Sequence, residues 1–364
     1  MSSPRVRFMQ LTPGEERAAI DAAIRRVVDR GWFILGPELE AFEAAFAAAT
    51  GADHAVGVGT GTDAIAIVLR ALGIGPGDEV ITAPVSAAYT ALACMMVGAR
   101  PVFADVDPVR MTIDPLAVEA AVTPRTKAVL PVHLYGQPAD MPALAAVAAR
   151  YGLAVIEDCC QAHLATCGGR PVGGFGIAAA YSFYPTKNLC ALGDGGAITT
   201  GDGALAARMK RVRNGGQTDR YLHAEMGVNS RLDEMQAAIL SAKLPFLACW
   251  TAARRAAASR YRELLGGAPI DVPRECDDGH VYHLFPVRSP RRDRLQAFLK
   301  DEGIETLIHY PVAIPDQPAL RTERPADCPA ARRVCAEVLS LPISPSIQDE
   351  EIALVASTVM RFRG

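Results

Sequence analysis

The sequence predicts an α/β protein in which a mostly parallel sheet lies between helices, followed by a smaller C-terminal α+β region. Between residues 54 and 200, short β-rich segments alternate with helical segments. Parallel strands that follow one another need crossover connections, which place helices on both faces of the sheet. After Gly201 the alternation gives way to longer helices. The length suits about two domains, and we place a large domain with an N-terminal helical segment at residues 1–247 and a small domain at residues 248–364.

Each predicted element follows from the spacing of its apolar residues. Two helices, at residues 15–30 and 37–49, come first, and the second carries Leu39, Phe42 and Phe46 at helical spacing. The alternating part comprises predicted strands at residues 54–58, 79–83, 100–104, 128–132, 154–157, 179–183 and 196–199, and predicted helices at residues 63–72, 89–97, 115–121 and 141–151. Beyond it we predict helices at residues 204–213, 231–247, 251–265, 291–302, 330–339 and 349–361, and strands at residues 281–287 and 305–308.

Composition and charge exclude several classes of function. The formal net charge is −3 and the chain has no large basic block, which argues against a nucleic-acid partner. Nothing near the N-terminus resembles a signal peptide, and the apolar stretches are too short to span a bilayer. The nine cysteines include no C-x-x-C pair and no zinc-finger spacing, so we expect buried thiols and no metal site. We therefore expect a soluble, cytoplasmic protein that does not bind membranes.

Lysine is scarce in this sequence, which draws attention to each one. Of the 37 basic residues only five are lysines, and Lys187 is the one in an unusual setting. It follows a predicted strand and a Ser-Phe-Tyr-Pro-Thr turn, and it leads into a glycine-rich loop. A lysine at the end of a sheet strand is well placed to bond a cofactor through its amine. The alternative for any single lysine on a loop is simple solvation.

Two further segments carry candidate site residues. The apolar strand at residues 154–157 delivers Glu157 and Asp158 to its C-terminal end. One carboxylate there could keep a heterocyclic nitrogen protonated, and either could instead be structural. The segment from Gly57 to Ala64 reads as strand, glycine turn and helix, and the helix N-terminus could hold a phosphate. It is neither a dinucleotide-binding fingerprint nor a P-loop.

Taken in order, these segments resemble the DegT/DnrJ/StrS family of sugar aminotransferases, which use pyridoxal phosphate. The resemblance covers nearly the whole chain. Its most specific part is the stretch Tyr181-Ser-Phe-Tyr-Pro-Thr-Lys-Asn-Leu with the following Gly193-Asp-Gly-Gly. The supporting stretches are Gly61-Thr-Asp-Ala, Gly73-Ile-Gly-Pro-Gly-Asp-Glu-Val, Pro131-Val-His-Leu-Tyr-Gly-Gln, Glu157-Asp with Gln161-Ala-His, Asn229-Ser-Arg-Leu-Asp-Glu-Met-Gln-Ala, Val281-Tyr-His-Leu and His309-Tyr-Pro.

The resemblance implies a type I pyridoxal-phosphate fold and roles for individual residues. Lys187 would bind pyridoxal 5′-phosphate covalently and move the catalytic proton, with pyridoxamine 5′-phosphate as the cofactor's second form. Asp158 would pair with the pyridine nitrogen. The remaining implied contacts are Gln161 near the ring, Gly61, Thr62 and Ser182 at the phosphate, Asn229 at the phosphate of the neighbouring subunit of a homodimer, and Arg231, His309 and Tyr310 at the substrate. Arg231 could instead pair with Asp233 or Glu234 on its own predicted helix.

The chain departs from the family pattern in places that affect these expectations. After Pro84 it has Val-Ser-Ala-Ala-Tyr where relatives often have a Ser-x-Thr-aromatic stretch, so Tyr89 becomes the candidate for stacking on the ring. Asp316 precedes Gln317-Pro318 where many members have a histidine, which affects the sugar contacts.

The implied reaction is amino transfer from an amino acid, L-glutamate by family habit, to a nucleotide-linked keto-sugar in amino-sugar biosynthesis. The stretch from Asn229 to Asp233 resembles members that act on 3-keto-6-deoxyhexoses. One alternative is a dehydratase that uses pyridoxamine phosphate, although its relatives lack the lysine that this chain has at position 187. The other is a non-catalytic regulatory member of the family.

Overall fold

The computed structural model describes residues 4–320 and 326–363. Its helices are α1 (Arg17–Arg30), α2 (Pro37–Thr50), α3 (Gly61–Ala71), α4 (Tyr89–Met96), α5 (Pro115–Ala121), α6 (Met141–Tyr151), α7 (Gly203–Val212), α8 (Glu234–Lys243), α9 (Leu247–Leu264), α10 (Arg292–Asp301), α11 (Pro329–Glu337) and α12 (Asp349–Arg361). Its strands are β1 (His54–Val58), β2 (Glu79–Thr82), β3 (Arg100–Phe103), β4 (Thr126–Leu130), β5 (Ala154–Asp158), β6 (Thr166–Cys167), β7 (Arg170–Pro171), β8 (Ala178–Ser182), β9 (Gly196–Thr200), β10 (Gln217–Asp219), β11 (Leu222–His223), β12 (Phe285–Arg288) and β13 (Val338–Leu341).

A seven-stranded sheet forms the centre of the molecule, with strand order β1-β9-β8-β5-β4-β2-β3. Strand β9 pairs antiparallel with both β1 and β8, and the other neighbours in the sheet are parallel. The prediction of a mostly parallel α/β sheet is therefore confirmed. Because β5 and β8 are parallel neighbours, the residues that follow them emerge at the same edge of the sheet.

Helices cover both faces of this sheet, as the crossover argument requires. Along β9, Ala197 packs in one apolar core and Ile198 in the other, and along β1 Ala55 and Val56 divide in the same way. Successive side chains of a strand point to opposite faces, so each strand contributes to both cores. A third apolar core, which includes Tyr261 and residues of β12, β13 and α12, lies in the C-terminal part. The division into domains at residue 247 remains a prediction, although α9 begins at that residue.

Local sequence explains where the helices that matter for the site begin. The hydroxyl of Thr60 accepts a hydrogen bond from the backbone N–H of Asp63 and so caps α3. Asp233 caps α8 in the same way through the N–H of Gln236. Short polar side chains at these positions satisfy backbone groups that have no partner within the helix.

The helix predicted at residues 251–265 begins earlier, at Leu247. Four other predicted elements of the C-terminal half also differ from the structure. The helix predicted at residues 231–247 starts only at Glu234, because Asp233 caps it, and it ends at Lys243 before a 3₁₀ turn that contains Pro245. The strand predicted at residues 281–287 is shorter, since Tyr282 has a φ of 45° that interrupts an extended backbone, and pairing starts at Phe285.

The other two differences arise from long-range pairing. Residues 305–308 form no strand, because Ile304 and Leu307 make single bridges to different partners, Val6 and Ser340. The helix predicted at residues 330–339 ends at Glu337, and the following residues pair with β12 as the strand β13. No helix in the described part of the chain is long and apolar enough to cross a membrane.

Candidate active site

A cavity of about 570 Å³ lies at the edge of the central sheet where β5 and β8 end. Ligands of parallel α/β sheets commonly bind at the carboxyl ends of the strands. Nine of the residues predicted from the sequence line this cavity together: Gly61, Thr62, Tyr89, Asp158, Gln161, Ser182, Lys187, His309 and Tyr310. The structure thus brings together most of the predicted site from segments that are far apart in the sequence.

Asp158 is the last residue of β5 and holds a fixed position at the cavity wall. Its side chain is buried, and one carboxylate oxygen accepts a hydrogen bond of 2.7 Å from the hydroxyl of Thr90. The other oxygen accepts a hydrogen bond of 3.1 Å from the backbone N–H of Cys160. Because each carboxylate oxygen has two lone pairs, Asp158 can still accept a proton donor from the cavity.

Glu157, the other carboxylate at the end of β5, has a structural role on the opposite side of the strand. It accepts backbone hydrogen bonds of 2.7–2.8 Å from Gly173, Phe175 and Gly176, and it lies 3.2 Å from Nε2 of His133. Burial alone would raise its pKa, but the contact with His133 and the backbone donors lower the pKa of Glu157 below its ordinary value. Of the two candidate carboxylates, only Asp158 lines the cavity.

The N-terminus of α3 lies at the cavity wall. Gly61 and Thr62 line the wall, and the N–H groups of a first helical turn have no acceptor within the helix. A Cβ atom on Gly61 would lie 2.8 Å from both Sγ of Cys160 and Cβ of Ser182, so the close approach of α3 to β8 requires glycine here. Ser182 lies at the same wall, and its hydroxyl and these N–H groups are donors of the kind that could hold an anion.

Lys187 lies on the loop between β8 and β9 and reaches the same cavity. Its backbone N–H donates to the carbonyl of Tyr184, which forms the turn predicted from the sequence. Loss of water around the ammonium lowers the pKa of Lys187, and Cys160 and Asp158 act in the opposite direction. A lowered pKa increases the fraction of neutral amine, which is the form that attacks a carbonyl.

A chain of hydrogen bonds holds Gln161 and Tyr310 in place at the cavity wall. The side-chain oxygen of Gln161 accepts a bond of 2.7 Å from the backbone N–H of Tyr135, and its amide nitrogen donates to the hydroxyl of Tyr310 at 3.1 Å. The hydroxyl of Tyr135 in turn donates to the carbonyl of His309. Burial lowers the pKa of His309 to about 4 and raises the pKa of Tyr310 to about 12, so both side chains are neutral near pH 7.

Tyr89 and several residues not predicted as contacts complete the lining. Tyr89 is the first residue of α4 and is 63% exposed, so its ring is free to cover a ligand in the cavity. The additional lining residues include Ser86, Thr90, Cys160, Tyr184, Asp194 and His283. The sequence contained two signals for these additional residues. Thr90 and Cys160 lie next to predicted site residues, and His283 belongs to a stretch that matches the family pattern.

Asn229 and Arg231 do not line this cavity. Asn229 is exposed, and a contact of Asn229 with a neighbouring subunit remains a prediction. Nη1 of Arg231 donates to the side-chain oxygen of Asn214 at 3.0 Å. The alternative pairing of Arg231 with Asp233 or Glu234 is wrong, because Asp233 caps α8 and Glu234 accepts hydrogen bonds from backbone N–H groups at the start of α2.

The residues present fit pyridoxal phosphate. The group needs an anion-binding site, a carboxylate for the ring nitrogen and an amine for its carbonyl carbon. The cavity supplies the N-terminus of α3 with Ser182, Asp158 with a free lone pair, and Lys187. The close approach at Gly61, where a Cβ atom would lie 2.8 Å from Sγ of Cys160 and from Cβ of Ser182, brings the start of α3 against Ser182 at the cavity wall.

Comparison with known proteins agrees with this geometry. Residues 15–360 match the model of the DegT/DnrJ/EryC1/StrS aminotransferase family. A dTDP-3-amino-3,4,6-trideoxy-α-D-glucose transaminase of Streptomyces venezuelae is 49% identical, over 99% of this chain and 97% of its own. A UDP-N-acetyl-3-dehydro-α-D-glucosamine 3-aminotransferase of Acidithiobacillus ferrooxidans is 45% identical, over 95% of this chain and 94% of its own.

Solved structures of similar proteins have the same fold. The crystal structure of S. venezuelae DesV in complex with a ketimine intermediate superposes with a TM-score of 0.96 at 49% identity and covers 98% of both chains. NtdA of Bacillus subtilis with bound PMP superposes with a TM-score of 0.92 at 31% identity, over 99% of this chain and 85% of its own. The predicted type I fold is thereby confirmed.

Proposed function

Because the chain belongs to the DegT/DnrJ/EryC1/StrS aminotransferase family, we propose that it transfers an amino group from L-glutamate to a nucleotide-linked keto-sugar in amino-sugar biosynthesis. The family is one of pyridoxal-phosphate enzymes, and similar proteins are nucleotide-sugar transaminases. The observation that carries the proposal is that Lys187, Asp158 and the N-terminus of α3 line one cavity.

Each part of the cavity has a task in such a reaction. When bound, pyridoxal phosphate supplies an electron sink for the carbon that carries the amino group. Asp158 would hold a proton on the ring nitrogen, and Thr90 and the N–H of Cys160 orient its carboxylate for that contact. The first N–H groups of α3, with Ser182, would anchor the phosphate.

Lys187 would act as both base and acid. Its amine Nζ would take a proton from the reacting carbon of the amino acid and deliver one to the carbon that receives the amino group. The lowered pKa of Lys187 supports this role, because a neutral amine accepts the proton directly. Gln161 and Tyr310, joined by a hydrogen bond, would limit the movement of the ring and exclude water on one side.

The acceptor that we favour is a dTDP- or UDP-linked sugar with a ketone at carbon 3. The names of the two relatives from S. venezuelae and A. ferrooxidans support this choice, since each names an aminotransferase for carbon 3 of a dTDP- or UDP-linked sugar. Within this class we propose a 3-keto-6-deoxyhexose. The test is a panel of dTDP- and UDP-linked 3-keto- and 4-keto-sugars, scored by mass spectrometry for glutamate-dependent amination. Amination of 4-keto-sugars alone would contradict the proposed position, and loss of water instead of gain of an amine would indicate the dehydratase.

Substitution of Lys187 tests the catalytic role. Borohydride reduction of the cofactor-loaded protein should add the cofactor's mass to the peptide that contains Lys187, and Lys187→Ala should lose this adduct together with transamination. Lys210→Ala, which changes a lysine outside the cavity, is the matched control and should retain both. An adduct on another lysine would disprove the assignment, and an adduct without turnover of any amino acid would favour the regulatory alternative.

We also propose that the active enzyme is a cytoplasmic homodimer whose subunits share the site. Large apolar side chains at Trp32, Phe33, Tyr221 and Met226 are at least half exposed, and their burial against a second subunit would be favourable. Asn229 is exposed, so it could contact the phosphate group of a second subunit.

A further inference from the structure

Two of the nine cysteines differ from the others in their surroundings. Burial raises the pKa of the other seven thiols, those of Cys94, Cys159, Cys160, Cys167, Cys276, Cys328 and Cys335. A raised pKa lowers the fraction of thiolate, which is the nucleophilic form of cysteine. The two that differ are Cys249, which is exposed, and Cys190, which is partly exposed.

The sulfur of Cys190 contacts the ammonium group of a buried lysine. Cys190 lies on the loop between β8 and β9, and Nζ of Lys243, the last residue of α8, donates a hydrogen bond of 2.9 Å to its Sγ. Lys243 is only 4% exposed. Buried charges are normally paired, yet none of the carboxylates in the described part of the chain forms a salt bridge with Lys243. Negative charge on the sulfur of Cys190 would therefore pair this cation.

A second buried cation, Arg254 on α9, interacts with the same cysteine. Its Nη1 donates to the carbonyl oxygens of Tyr282, His283 and Ile343, and its Nε has no hydrogen-bond partner among the residues that the structure describes. Burial lowers the pKa of Arg254 to about 10, and the electrostatic interaction with Cys190 acts in the opposite direction. Positive charge from two side chains thus favours negative charge on one sulfur.

Cys249, on α9, provides a comparison within the same chain. Its Sγ donates a hydrogen bond of 2.9 Å to the carbonyl oxygen of Phe246. A donated hydrogen bond stabilises the neutral thiol, whereas the bond that Cys190 accepts from an ammonium group stabilises the thiolate. Solvent access therefore favours reaction at Cys249, and hydrogen bonding favours reaction at Cys190.

A cavity of about 610 Å³ adjoins Cys190, which lines its wall. The cavity lies between the segment 9–16, the loop that carries Cys190, α9 and the residues that precede α12. Three carboxylates, those of Glu15, Glu16 and Glu351, line the same cavity. Their negative charge disfavours an anionic reagent, so a small uncharged electrophile is the kind of reagent that suits this approach to the sulfur.

We propose that Cys190 is a nucleophilic thiol that hydrogen peroxide oxidises to a sulfenic acid. The sulfur attacks one oxygen of the peroxide, so that an S–O bond forms and the O–O bond breaks. The sulfur loses two electrons and the peroxide gains them, and the released hydroxide takes up the proton that left the thiol. Cys–SH and H₂O₂ thus give Cys–SOH and H₂O. The modified residue lies on the loop that also carries Lys187.

The first test compares Cys190 with Cys249 in one protein. The native, cofactor-loaded protein is treated with iodoacetamide, and peptide mass spectrometry follows the alkylation of each cysteine over time. Because a charged hydrogen bond stabilises the reactive form of Cys190, its alkylation should be about tenfold faster than that of Cys249, or more. Equal rates, or faster alkylation of the more exposed Cys249, would overturn the inference.

Substitution of the lysine tests the cause of this reactivity. Lys243→Met removes the ammonium group, so the alkylation of Cys190 should slow by about tenfold or more while that of Cys249 keeps its rate. Lys300→Met, which changes an exposed residue of α10, is the matched control and should change neither rate. An unchanged rate at Cys190 in Lys243→Met would refute the role of the cation. Alkylation of the buried Cys94 would reveal unfolding of the variant, and the comparison in the unchanged protein would then decide.

The last test detects the proposed product. Dimedone, which reacts with sulfenic acids, is added together with hydrogen peroxide, and its adducts are located by peptide mass spectrometry. The adduct should form on Cys190 before it forms on Cys249, and Lys243→Met should delay it. An adduct on Cys249 alone, or none on Cys190, would show that peroxide does not oxidise Cys190. Neither readout involves transamination, so a failure of the proposed function leaves these outcomes unchanged.

Discussion

The hydroxyl of Thr90 donates a 2.7 Å hydrogen bond to the carboxylate of Asp158, and both side chains are buried. The bond connects the first turn of α4 with the end of β5. It leaves the carboxylate a narrow range of orientations and therefore determines how Asp158 can meet a ring nitrogen in the cavity.

Thr90→Val should destabilise the protein and weaken cofactor retention. The change keeps the shape of the side chain but removes a donor to a buried carboxylate, which costs about 1–3 kcal/mol. Chemical denaturation should show this loss in the free energy of unfolding, and dialysis should show faster loss of the cofactor. Thr112→Val is the matched control, because the hydroxyl of Thr112 is buried without a hydrogen-bond partner in the described structure, and its removal should not destabilise. Equal effects of the two substitutions would refute the role of Thr90.

Gly61→Ala should weaken cofactor binding more than it weakens folding. The new Cβ would lie 2.8 Å from Sγ of Cys160 and Cβ of Ser182, so the N-terminus of α3 would shift away from the position that we propose for the phosphate. We expect the dissociation constant of the cofactor, measured by fluorescence titration, to rise by about tenfold, which corresponds to about 1.4 kcal/mol. Gly266→Ala is the control, since a Cβ there would lie 3.4 Å from its nearest neighbour. An unchanged dissociation constant for Gly61→Ala would place the phosphate elsewhere.

Glu79 should make the stability of the protein depend on pH in the acidic range. Burial opposes its charged form, but hydrogen bonds from Thr123, Arg100 and Arg125 outweigh this and lower the pKa of Glu79 to about 2 from 4.5. Because the folded-state pKa is depressed, the stabilisation is complete above about pH 4.5 and is lost as the pH falls toward 2. By linkage it amounts to up to about 3 kcal/mol.

Denaturation curves between pH 2 and pH 6 test this prediction. Glu79→Gln should show a smaller change in the free energy of unfolding across this range than the unchanged protein. Glu40→Gln, an exposed carboxylate on α2, should show the same pH dependence as the unchanged protein. A Glu79→Gln curve parallel to that of the unchanged protein would mean that Glu79 does not titrate as expected.

A site shared between subunits predicts that two inactive variants restore each other. Lys187→Ala removes the amine of its own subunit, and Asn229→Asp should repel the phosphate in the neighbouring subunit. In a mixed dimer one site contains both substitutions and the other contains neither. Mixing the two variants under conditions of subunit exchange should therefore recover transamination, measured with L-glutamate and the keto-sugar. No recovery, with mixed dimers present by native mass spectrometry, would show that Asn229 acts within its own subunit, and an active Asn229→Asp protein would show that Asn229 has no role.

The sequence alone determined the core of the site because its signals are local. The alternation of strands and helices fixes a parallel sheet, and residues after parallel strands emerge at one edge, so Asp158, Lys187 and the turn at Gly61 could be expected to meet. Turn chemistry and scarcity of lysine singled out Lys187. The type I fold followed from the resemblance of these ordered stretches to one family.

Tertiary structure alone decided which partners these residues have. The separation of Glu157 from Asp158 depends on the loop at residues 173–176, which folds back to one face of β5. The pairing of Arg231 with Asn214 and the strand β13 likewise depend on contacts between distant segments. Residues 9–16 line one cavity together with α9 and the residues before α12, and no local sequence pattern predicts that these segments lie close together. The periodicity of apolar residues indicates which face of a helix or strand is buried. Which other segment packs against that face depends on the tertiary structure.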